Sequence, residues 1–538
     1  MTSFEMKLRI PAIAAALLCS IACVETDYTL GGSLVPVEQT YKIYSEEAPI
    51  PEMHMQMADS LSGYSSTRIT IGAVRDENYG LSTRASAVTL VPLYDTLDFG
   101  SNPVVKSFHL SVAKDSTSVT SPRDENILQN VNVYALENPL DPLKNYDCNA
   151  EIAHGTTRIC KGTPVINGTD SLCINFTEEY ASQYLGITQS DLEDMDRYLK
   201  KFPGIYIDTD KPAGMGGRIN MFELQLGYNS SDYYLTGNFA SLTVNTKYDD
   251  WSKRKDTTFY FYLSPLDFYD VDSLLTNSST GSFPQYGLNV TGHETRSRAG
   301  KAGDKVWIEG GGGLKPVIKA RAIRDLAAEM ISAKGADPKS VVINKATIVM
   351  PFEFPEDYTE MDRFPYLLSP TCRIISDDSA TFMGLTDSSS SDENQGDIDR
   401  SNLCFSPDIT YHMQEILKMS DEKIDSGNYD IWFLIMANET VTSSSSSSST
   451  SDMSEYYQYL AYQSYYSSMY GGYSSSYGSS YSNYYTYMML AQMYSSSGTT
   501  TSTEQALDRD RYYNAWLNGP SFDGRTPSLQ LTFSVPNE

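Results

Sequence analysis

Two segments of this chain pass through the same order of secondary structure. In the first, the alternating strand Val104–Ala113 is followed by a polar excursion, a helical stretch within Cys173–Leu185 and the strand Gly204–Ile207. The same order returns roughly 230 residues later, which indicates a duplicated module. The second copy consists of the strand Val341–Met350, the helix Ser406–Met419 and the strand Tyr429–Ala437. A chain with this repeat is expected to fold as two similar units.

Alternation of apolar and polar residues with a period of two is typical of strands that bury one face of a sheet. Such strands dominate both copies, so we predict a mainly β fold of two related β-sandwich modules with jelly-roll character. A short crossover helix is expected to cover one end of each module. The first module is predicted at 66–300 and the second at 301–538, after an N-terminal tether at 23–65.

The segment 442–503 differs in composition from everything around it. Ser, Tyr, Gly and Met dominate it, and charged residues are almost missing. Such a segment buries too little apolar surface to offset the entropy of ordering, so we predict a disordered insertion in the second module. Its exposed tyrosines would stack on sugars or on a protein partner. The alternative is a surface loop that has no fixed partner.

The N-terminus has the pattern of a signal segment. Lys7 and Arg9 precede an apolar run, Ile10–Ala22, which is too short to span a bilayer and ends at Cys23. Small residues before a cysteine resemble the lipobox of bacterial lipoproteins, whose cysteine is acylated and becomes the mature N-terminus. The resemblance implies a signal peptide at 1–22 and a membrane anchor at Cys23, because two or more acyl chains hold a protein at a bilayer. A cleaved signal without an anchor is the alternative.

The net charge of the chain is -28. Nucleic-acid surfaces need clustered Lys and Arg, which are missing here, so we exclude nucleic acid as a partner. The same charge disfavours docking on anionic lipid headgroups.

The cysteines that follow Cys23 show no CxxC spacing, which makes a zinc site improbable. In an oxidising compartment Cys372 and Cys404 would form one bridge, and two of the other three would form a second. Free thiols are the alternative. The five cysteines are Cys148, Cys160, Cys173, Cys372 and Cys404.

The stretch Ser66–Leu93 has the pattern of two strands around the turn Asp76–Gly80, whose sequence is DENYG. It resembles the opening signature of the Bacteroidota outer-membrane lipoprotein family catalogued as domain of unknown function 4270. Val306–Ile318 and Val342–Met350 resemble other recurring segments of that family. The resemblance implies an outer-membrane lipoprotein and no particular activity. The acidic residues that follow Cys23 resemble the flank with which surface lipoproteins of that phylum are displayed outside the cell.

Catalytic motifs are missing from the sequence. The histidines form no HExxH or paired metal-ligand spacing, and no GxSxG elbow occurs. The run Gly310–Gly313 lacks the GK[ST] of a phosphate-binding loop and is predicted to be a bulge or turn between two strands. We therefore predict a non-catalytic protein. An unlocated secreted hydrolase is the alternative, because a chain this acidic contains many paired carboxylates.

One acidic segment offers oxygen ligands of the kind that calcium prefers, with a glycine that allows a sharp bend. The candidate ligands are Asp392, Asn394, Asp397 and Asp399. Their spacing does not fit an EF-hand, and the closing bidentate glutamate of that loop is missing. A solvated acidic loop without metal is the alternative, and no other cofactor is predicted.

Together these features predict a lipid-anchored outer-membrane lipoprotein that faces the cell exterior and acts as a non-catalytic binding or scaffolding protein. Glycan capture is the favoured role, and an accessory subunit of an outer-membrane barrel complex is the alternative. The tryptophans help to separate the two roles, because exposed rings along a groove favour glycans and buried rings favour scaffolding. They are Trp251, Trp307, Trp432 and Trp516.

Overall fold

The computed structural model describes residues 41–536, with gaps at 95, 120–121, 142–143, 145, 230–233, 250, 265–279, 284, 377–378, 391–392 and 444–499. The chain is mostly β, with 48% strand and 16% helix, and its strands form several antiparallel sheets. The predicted mainly β fold is confirmed. Within the described part of the chain, no helix is both long and apolar enough to cross a membrane.

The strands are numbered in chain order. Those of the first half are β1 (Tyr41–Pro49), β2 (His54–Met57), β3 (Tyr64–Ser65), β4 (Arg68–Asp76), β5 (Gly80–Val88), β6 (Leu90–Pro92), β7 (Ser101–Val112), β8 (Lys114–Val119), β9 (Gln129–Leu136), β10 (His154–Arg158), β11 (Val165–Ile166), β12 (Leu172–Asn175), β13 (Ile205–Thr209), β14 (Gly216–Glu223), β15 (Leu226–Asn229), β16 (Tyr234–Gly237), β17 (Phe239–Lys247), β18 (Lys255–Leu263), β19 (Thr280–Phe283) and β20 (Gly287–His293).

The strands of the second half are β21 (Gly300–Lys301), β22 (Lys305–Glu309), β23 (Leu314–Ile318), β24 (Val342–Pro351), β25 (Leu367–Ser376), β26 (Ser379–Gly384), β27 (Ile398–Asp399), β28 (Cys404–Phe405), β29 (Ile431–Ser443), β30 (Thr500–Leu507), β31 (Asn514–Asn518) and β32 (Ser528–Pro536). The α-helices are α1 (Glu178–Tyr184), α2 (Gln189–Leu192), α3 (Met195–Lys201), α4 (Ala320–Ser332), α5 (Asp387–Ser390), α6 (Thr410–Lys418) and α7 (Asp421–Ile424). Short 3-10 helices lie at Pro122–Asn126, Glu294–Arg298 and Tyr358–Arg363.

The first module is a sandwich of two antiparallel sheets. Sheet A has the strand order β10-β9-β13-β5-β4-β14-β8, with β20 also paired to β5, and sheet B has the order β12-β7-β17-β18-β6. Each strand turns one set of alternate side chains inward, so Ile71 and Ile207 of sheet A share a core with Phe108 and Leu242 of sheet B. Helix α1 covers this core through Tyr184, whose ring centroid lies 5.0 Å from that of Phe108.

The second module has the same layered plan. Sheet C has the strand order β27-β28-β24-β32-β1, and sheet D has the order β21-β2-β23-β29-β25-β26, with β30 also paired to β29. Ile348 and Phe533 of sheet C share one core with Ile318 and Phe433 of sheet D. Helix α6 covers this core through Ile416.

Six strand pairings of the first module have a counterpart in the second module. The pairs β4-β14, β5-β13, β9-β13, β9-β10, β7-β12 and β7-β17 match the pairs β22-β31, β23-β29, β25-β29, β25-β26, β24-β28 and β24-β32. In each module a helix follows the short strand β12 or β28 and packs on the long strand β7 or β24. The two modules therefore share one strand plan, and duplication stays the prediction that explains it.

The predicted tether at 23–65 is corrected by the structure for residues 41–57. Strand β1 pairs with β32 along its whole length, and β2 pairs with β23, so both belong to the second module. In the first module, β18 pairs with β17 as β1 pairs with β32, and β20 pairs with β5 as β2 pairs with β23. Strands β18 and β20, however, lie at the C-terminal end of their own module. Ile50, Met53 and Met55 are buried in the second core. The N-terminal arm is thus a structural part of a sandwich that begins about 250 residues later.

The predicted insertion starts and ends at a hairpin. Strands β29 and β30 remain paired up to Ser443 opposite Thr500, so both ends of the segment leave the sheet side by side. Residues 442–443 and 500–503 of the predicted insertion are therefore strand. Residues 444–499 lie outside the described part of the chain, as do the predicted signal peptide and Cys23.

The modules meet along the outer face of sheet A. Tyr512, from the segment before β31, packs against Val74 and Ile219 on that face. Beside this contact the side-chain amide of Asn514 donates to the carboxylate of Asp76, with an N to O distance of 2.8 Å. Part of the outer face of sheet A is therefore covered by the second module.

Helix α6 gives the fold a dependence on pH. His412 is buried, its Nε2 lies 3.1 Å from the carbonyl oxygen of Tyr429, and burial lowers its pKa from 6.5 to about 4. As the pH falls, the imidazole of His412 is therefore protonated near pH 6.5 in the unfolded chain but only near pH 4 in the folded chain. This contribution is fully present above pH 6.5 and is lost as the pH falls, by about 3 kcal/mol in total. We expect urea unfolding to show a shallower acid-side loss of free energy for His412→Gln than for the wild type. Parallel pH profiles for the two proteins would contradict this assignment.

Candidate functional site

The open part of the outer face of sheet A carries a strip of polar and aromatic side chains. Because β9 and β13 pair in register, Tyr206 lies opposite Tyr134 and Asp208 lies opposite Asn132. The alternate residues of both strands, such as Val133, point into the core. The polar strip consists of Asn130, Asn132, Tyr134, His154, Tyr206, Asp208 and Asp210.

Three aromatic rings form a stack at one end of the strip. His154, at the start of β10, lies with its ring centroid 4.2 Å from that of Tyr206, and the two planes differ by only 10°. The ring centroid of His154 lies 5.0 Å from that of Tyr134, and these two planes differ by 23°. All three residues are half-buried, and burial raises the pKa of Tyr206 to about 12. The stack is thus an aromatic surface near the edge of the sheet, where the three rings contact one another.

A ladder of carboxylates and amides continues from the stack. The side-chain amide of Asn132 donates to Asp208 at 3.0 Å and to Asp210 at 3.1 Å, and that of Asn130 donates to Asp210 at 2.7 Å. Burial raises the pKa of Asp208, whereas the hydrogen bonds from Asn130 and Asn132 lower that of Asp210. The Oδ1 atom of Asn132 is buried and has no hydrogen-bond partner. The ladder therefore holds acceptors in fixed positions, one of them unused.

Exposed apolar side chains mark the other end of the strip. Leu128, just before β9, is 67% exposed, and Val165 of β11, which pairs with Asn130, is 46% exposed. From Leu128 to Tyr134 the strand covers roughly 20 Å, at about 3.3 Å per residue. The surface is long enough for an extended ligand.

The duplicated position in the second module provides an internal comparison. Trp432 and Leu434 of β29 stand where Tyr206 and Asp208 stand on β13, because both strands start with a core isoleucine and pair with the corresponding partner. Both side chains are buried in an apolar cluster with Leu61, from the segment between β2 and β3. The first of these positions is aromatic in both modules, and the second is Leu434 where the face is covered but the half-buried Asp208 in the first module. The polar strip therefore differs between the two copies, and it is the candidate ligand surface of the first module.

The tryptophans do not form an exposed platform. Trp432 is 3% exposed and the other three are half-buried. A cation lies over every indole ring, with its charged group 4.1 to 5.5 Å from the ring centroid. The pairs are Lys255 over Trp251, Arg298 over Trp307, Arg373 over Trp432 and Lys305 over Trp516. These rings are used within the protein, which weakens the part of the glycan prediction that rested on them.

The acidic segment proposed for calcium is organised as two turns. Asp392 lies outside the described residues. The Oδ1 of Asn394 accepts from the backbone nitrogens of Gly396 and Asp397, and the Oδ1 of Asp399 accepts from those of the two residues at 401 and 402. Within the part of the chain that is described, no group of three or more His, Cys, Asp or Glu side chains is placed to hold a metal. The calcium site stays a prediction.

The cysteines downstream of residue 41 are free thiols. No disulfide joins Cys372 to Cys404 in the structure, and Cys148, Cys160 and Cys173 are unbridged as well. Only Cys173 is exposed. Of the two alternatives that the sequence left open, the described chain has free thiols.

The polar strip was missed in the sequence although its signal is present. The segments QNVNVY, at residues 129–134, and IYIDTD, at residues 205–210, both alternate with a period of two, and one set of positions carries only Asn, Asp and Tyr. This pattern predicts two strands that each have a polar face. That the two polar faces are adjacent depends on the pairing of β9 with β13, which are separated by about 70 residues and by helices α1–α3.

The geometry of the strip is the available guide to function. Comparison of the chain with protein-family models, with curated proteins and with solved structures gave no match.

Proposed function

We propose that this chain is a lipid-anchored outer-membrane lipoprotein that captures glycans, without catalysis, on the polar strip of its first module. The observation that carries the proposal is the contrast between the corresponding faces of the two modules: the described face of the first has an aromatic stack beside a ladder of acceptors, whereas that of the second is covered by an apolar cluster. Sugars present apolar C–H faces and hydroxyl groups together. Aromatic rings bind the former and carboxylates or amides bind the latter.

The stack and the ladder suit this role for energetic reasons. The rings of Tyr134, His154 and Tyr206 are held by one another, so little side-chain entropy is lost when a sugar packs on them. Asp208 and Asp210 accept hydrogen bonds from hydroxyl groups while Asn132 keeps them in place. Ionised acceptors give stronger hydrogen bonds than neutral ones. Several weak contacts along one strip then add to a useful affinity.

We expect Tyr206→Ala to weaken glycan binding about fivefold or more, because an aromatic contact contributes about 1 kcal/mol or more. The measurement is affinity electrophoresis of the mature protein in gels that contain starch, xylan, mannan, pectin or mucin. Tyr411→Ala is the matched control, since Tyr411 is an exposed tyrosine on α6 in the other module. Equal retardation of wild type and Tyr206→Ala in every gel would refute the proposed site.

The lipid anchor is tested by metabolic labelling with palmitate. We expect label in the wild type and in Cys19→Ala, whose cysteine lies in the predicted signal peptide, but none in Cys23→Ala. Label in Cys23→Ala would rule out this anchor.

Protease treatment of intact cells is expected to degrade the protein if it faces the exterior. A barrel protein recovered in equal amount after solubilisation would favour the accessory-subunit role over glycan capture.

Hydrolysis is the second candidate because Asp208 and Asp210 differ in pKa in the way that an acid and a base require. Burial raises the first pKa, and hydrogen bonds from Asn130 and Asn132 lower the second. The open sheet face argues for binding, since a hydrolytic site excludes bulk water around the reacting bond. Release of reducing ends from the same polysaccharides by the wild type, and its loss in Asp208→Asn, would establish the enzyme instead.

A further inference from the structure

Outside the polar strip, the amine of a lysine side chain contacts the buried side-chain amide of an asparagine. Lys114 of β8 places its Nζ 2.9 Å from the Oδ1 of Asn220 on the neighbouring strand β14. Asn220 is fully buried in sheet A. The amide carbon lies about 1.2 Å beyond that oxygen, so Nζ and Cγ are no more than about 4.1 Å apart. This is close to the separation at which bound groups react.

The surroundings hold both groups in place. The Nε of Arg218 donates to the same Oδ1 at 2.7 Å, while the Nδ2 of Asn220 donates to the Oε1 of Gln129 at 2.7 Å. The Nζ of Lys114 also lies over the ring of Phe222, 4.7 Å from its centroid. Burial lowers the pKa of Lys114 to about 7, so a large fraction of the amine is neutral at physiological pH. A neutral amine is the nucleophilic form.

We propose that Lys114 and Asn220 form an intramolecular amide bond that joins β8 to β14. The lone pair of Nζ forms a bond to Cγ of Asn220, and the carbonyl oxygen takes up the charge while Arg218 donates to it. The bond from Cγ to Nδ2 then breaks, and Nδ2 leaves as ammonia with a proton that comes from Nζ. An amine and a carboxamide give a secondary amide and ammonia, so no oxidant or reductant is needed.

The position of the bond gives it a structural purpose. Strand β8 is the last strand in the order of sheet A and pairs with β14. Edge strands are the least restrained strands of a sheet. The described cysteines form no disulfide that would fix it. An amide between β8 and β14 would hold this edge by a covalent link that does not depend on the redox state of the compartment.

Intact mass spectrometry of the mature wild-type protein decides the proposal. We expect a mass lower than that of the sequence by one ammonia molecule, and a tryptic fragment in which the peptides with Lys114 and Asn220 are joined. A full mass, with both peptides recovered separately and unmodified, would overturn the proposal. This measurement needs no variant, so a folding defect cannot obscure it.

Variants locate the bond if the mass deficit is found. Lys114→Arg keeps the positive charge but removes the nucleophile, and we expect it to have the full mass, as does Asn220→Ala. Lys106→Arg, which changes a lysine of β7 in the same module, is the matched control and should keep the deficit. A deficit that persists in Lys114→Arg would place the missing ammonia elsewhere and refute this bond.

Discussion

We expect Met53→Asp to unfold the second module, although residue 53 precedes the first module in the sequence. Met53 is 0% exposed and lies in the core of the second module, where its carbonyl oxygen accepts from the backbone nitrogen of Ala302 at 2.9 Å. The substitution removes a buried apolar side chain and places a carboxylate among the apolar side chains of the core. We expect a loss of at least about 5 kcal/mol, which is comparable to the whole stability of many domains.

The measurement is urea unfolding of the mature chain, followed by circular dichroism. Ser45→Asp is the matched control, because it introduces the same charge into the same arm at an exposed position of β1. We expect it to unfold within about 0.5 kcal/mol of the wild type. If Met53→Asp is as stable as Ser45→Asp, residues 41–57 act as the tether that the sequence predicted and not as part of a core.

The N-terminal arm, residues 41–57, shows that the sequence predicts where strands lie but not which strands they pair with. Alternation locates β7, β24 and their neighbours, and the repeat predicts that the two modules share one plan. The pattern cannot say with which module a strand pairs. His54–Met57 is too short for a clear period, and its partner β23 lies about 260 residues away, beyond an entire module. Long-range pairing of this kind is decided by the packing of both cores.

The same reasoning explains the outcome for the candidate site. The sequence drew attention to the tryptophans and to the acidic residues at 392–399, because these residue types often bind ligands. The structure covers each indole with a cation and uses the oxygens of Asn394 and Asp399 in turns. The polar strip instead consists of common residue types, and the register of β9 against β13 decides whether their side chains lie next to one another. A ligand site built across two strands appears only when the strands are paired.

The glycine run between β22 and β23 shows how a sequence motif is explained by packing alone. Gly310–Gly313 forms the predicted turn, and the backbone nitrogen of Gly313 donates to the carbonyl oxygen of Gly310 at 3.1 Å. Lys315 is fully buried beside the turn, and burial lowers its pKa to about 8. Its Nζ donates to the carbonyl oxygens of Glu309, Gly311 and Gly313 at 2.5, 2.9 and 3.1 Å. The carbonyls are directed at a lysine of the protein itself, so the turn is structural.

We therefore expect Gly310→Ala to destabilise the protein by about 3 kcal/mol. A Cβ atom at this position would lie 2.2 Å from the carbonyl oxygen of Arg511, and a backbone atom of the segment before β31 cannot rotate away. That segment also packs on the first module through Tyr512, so its displacement would loosen the contact between the modules. Gly303→Ala is the matched control, since a Cβ there meets nothing within 4 Å. Urea unfolding should separate the two variants, and equal midpoints would show that the turn tolerates a side chain and that the glycine run has another purpose.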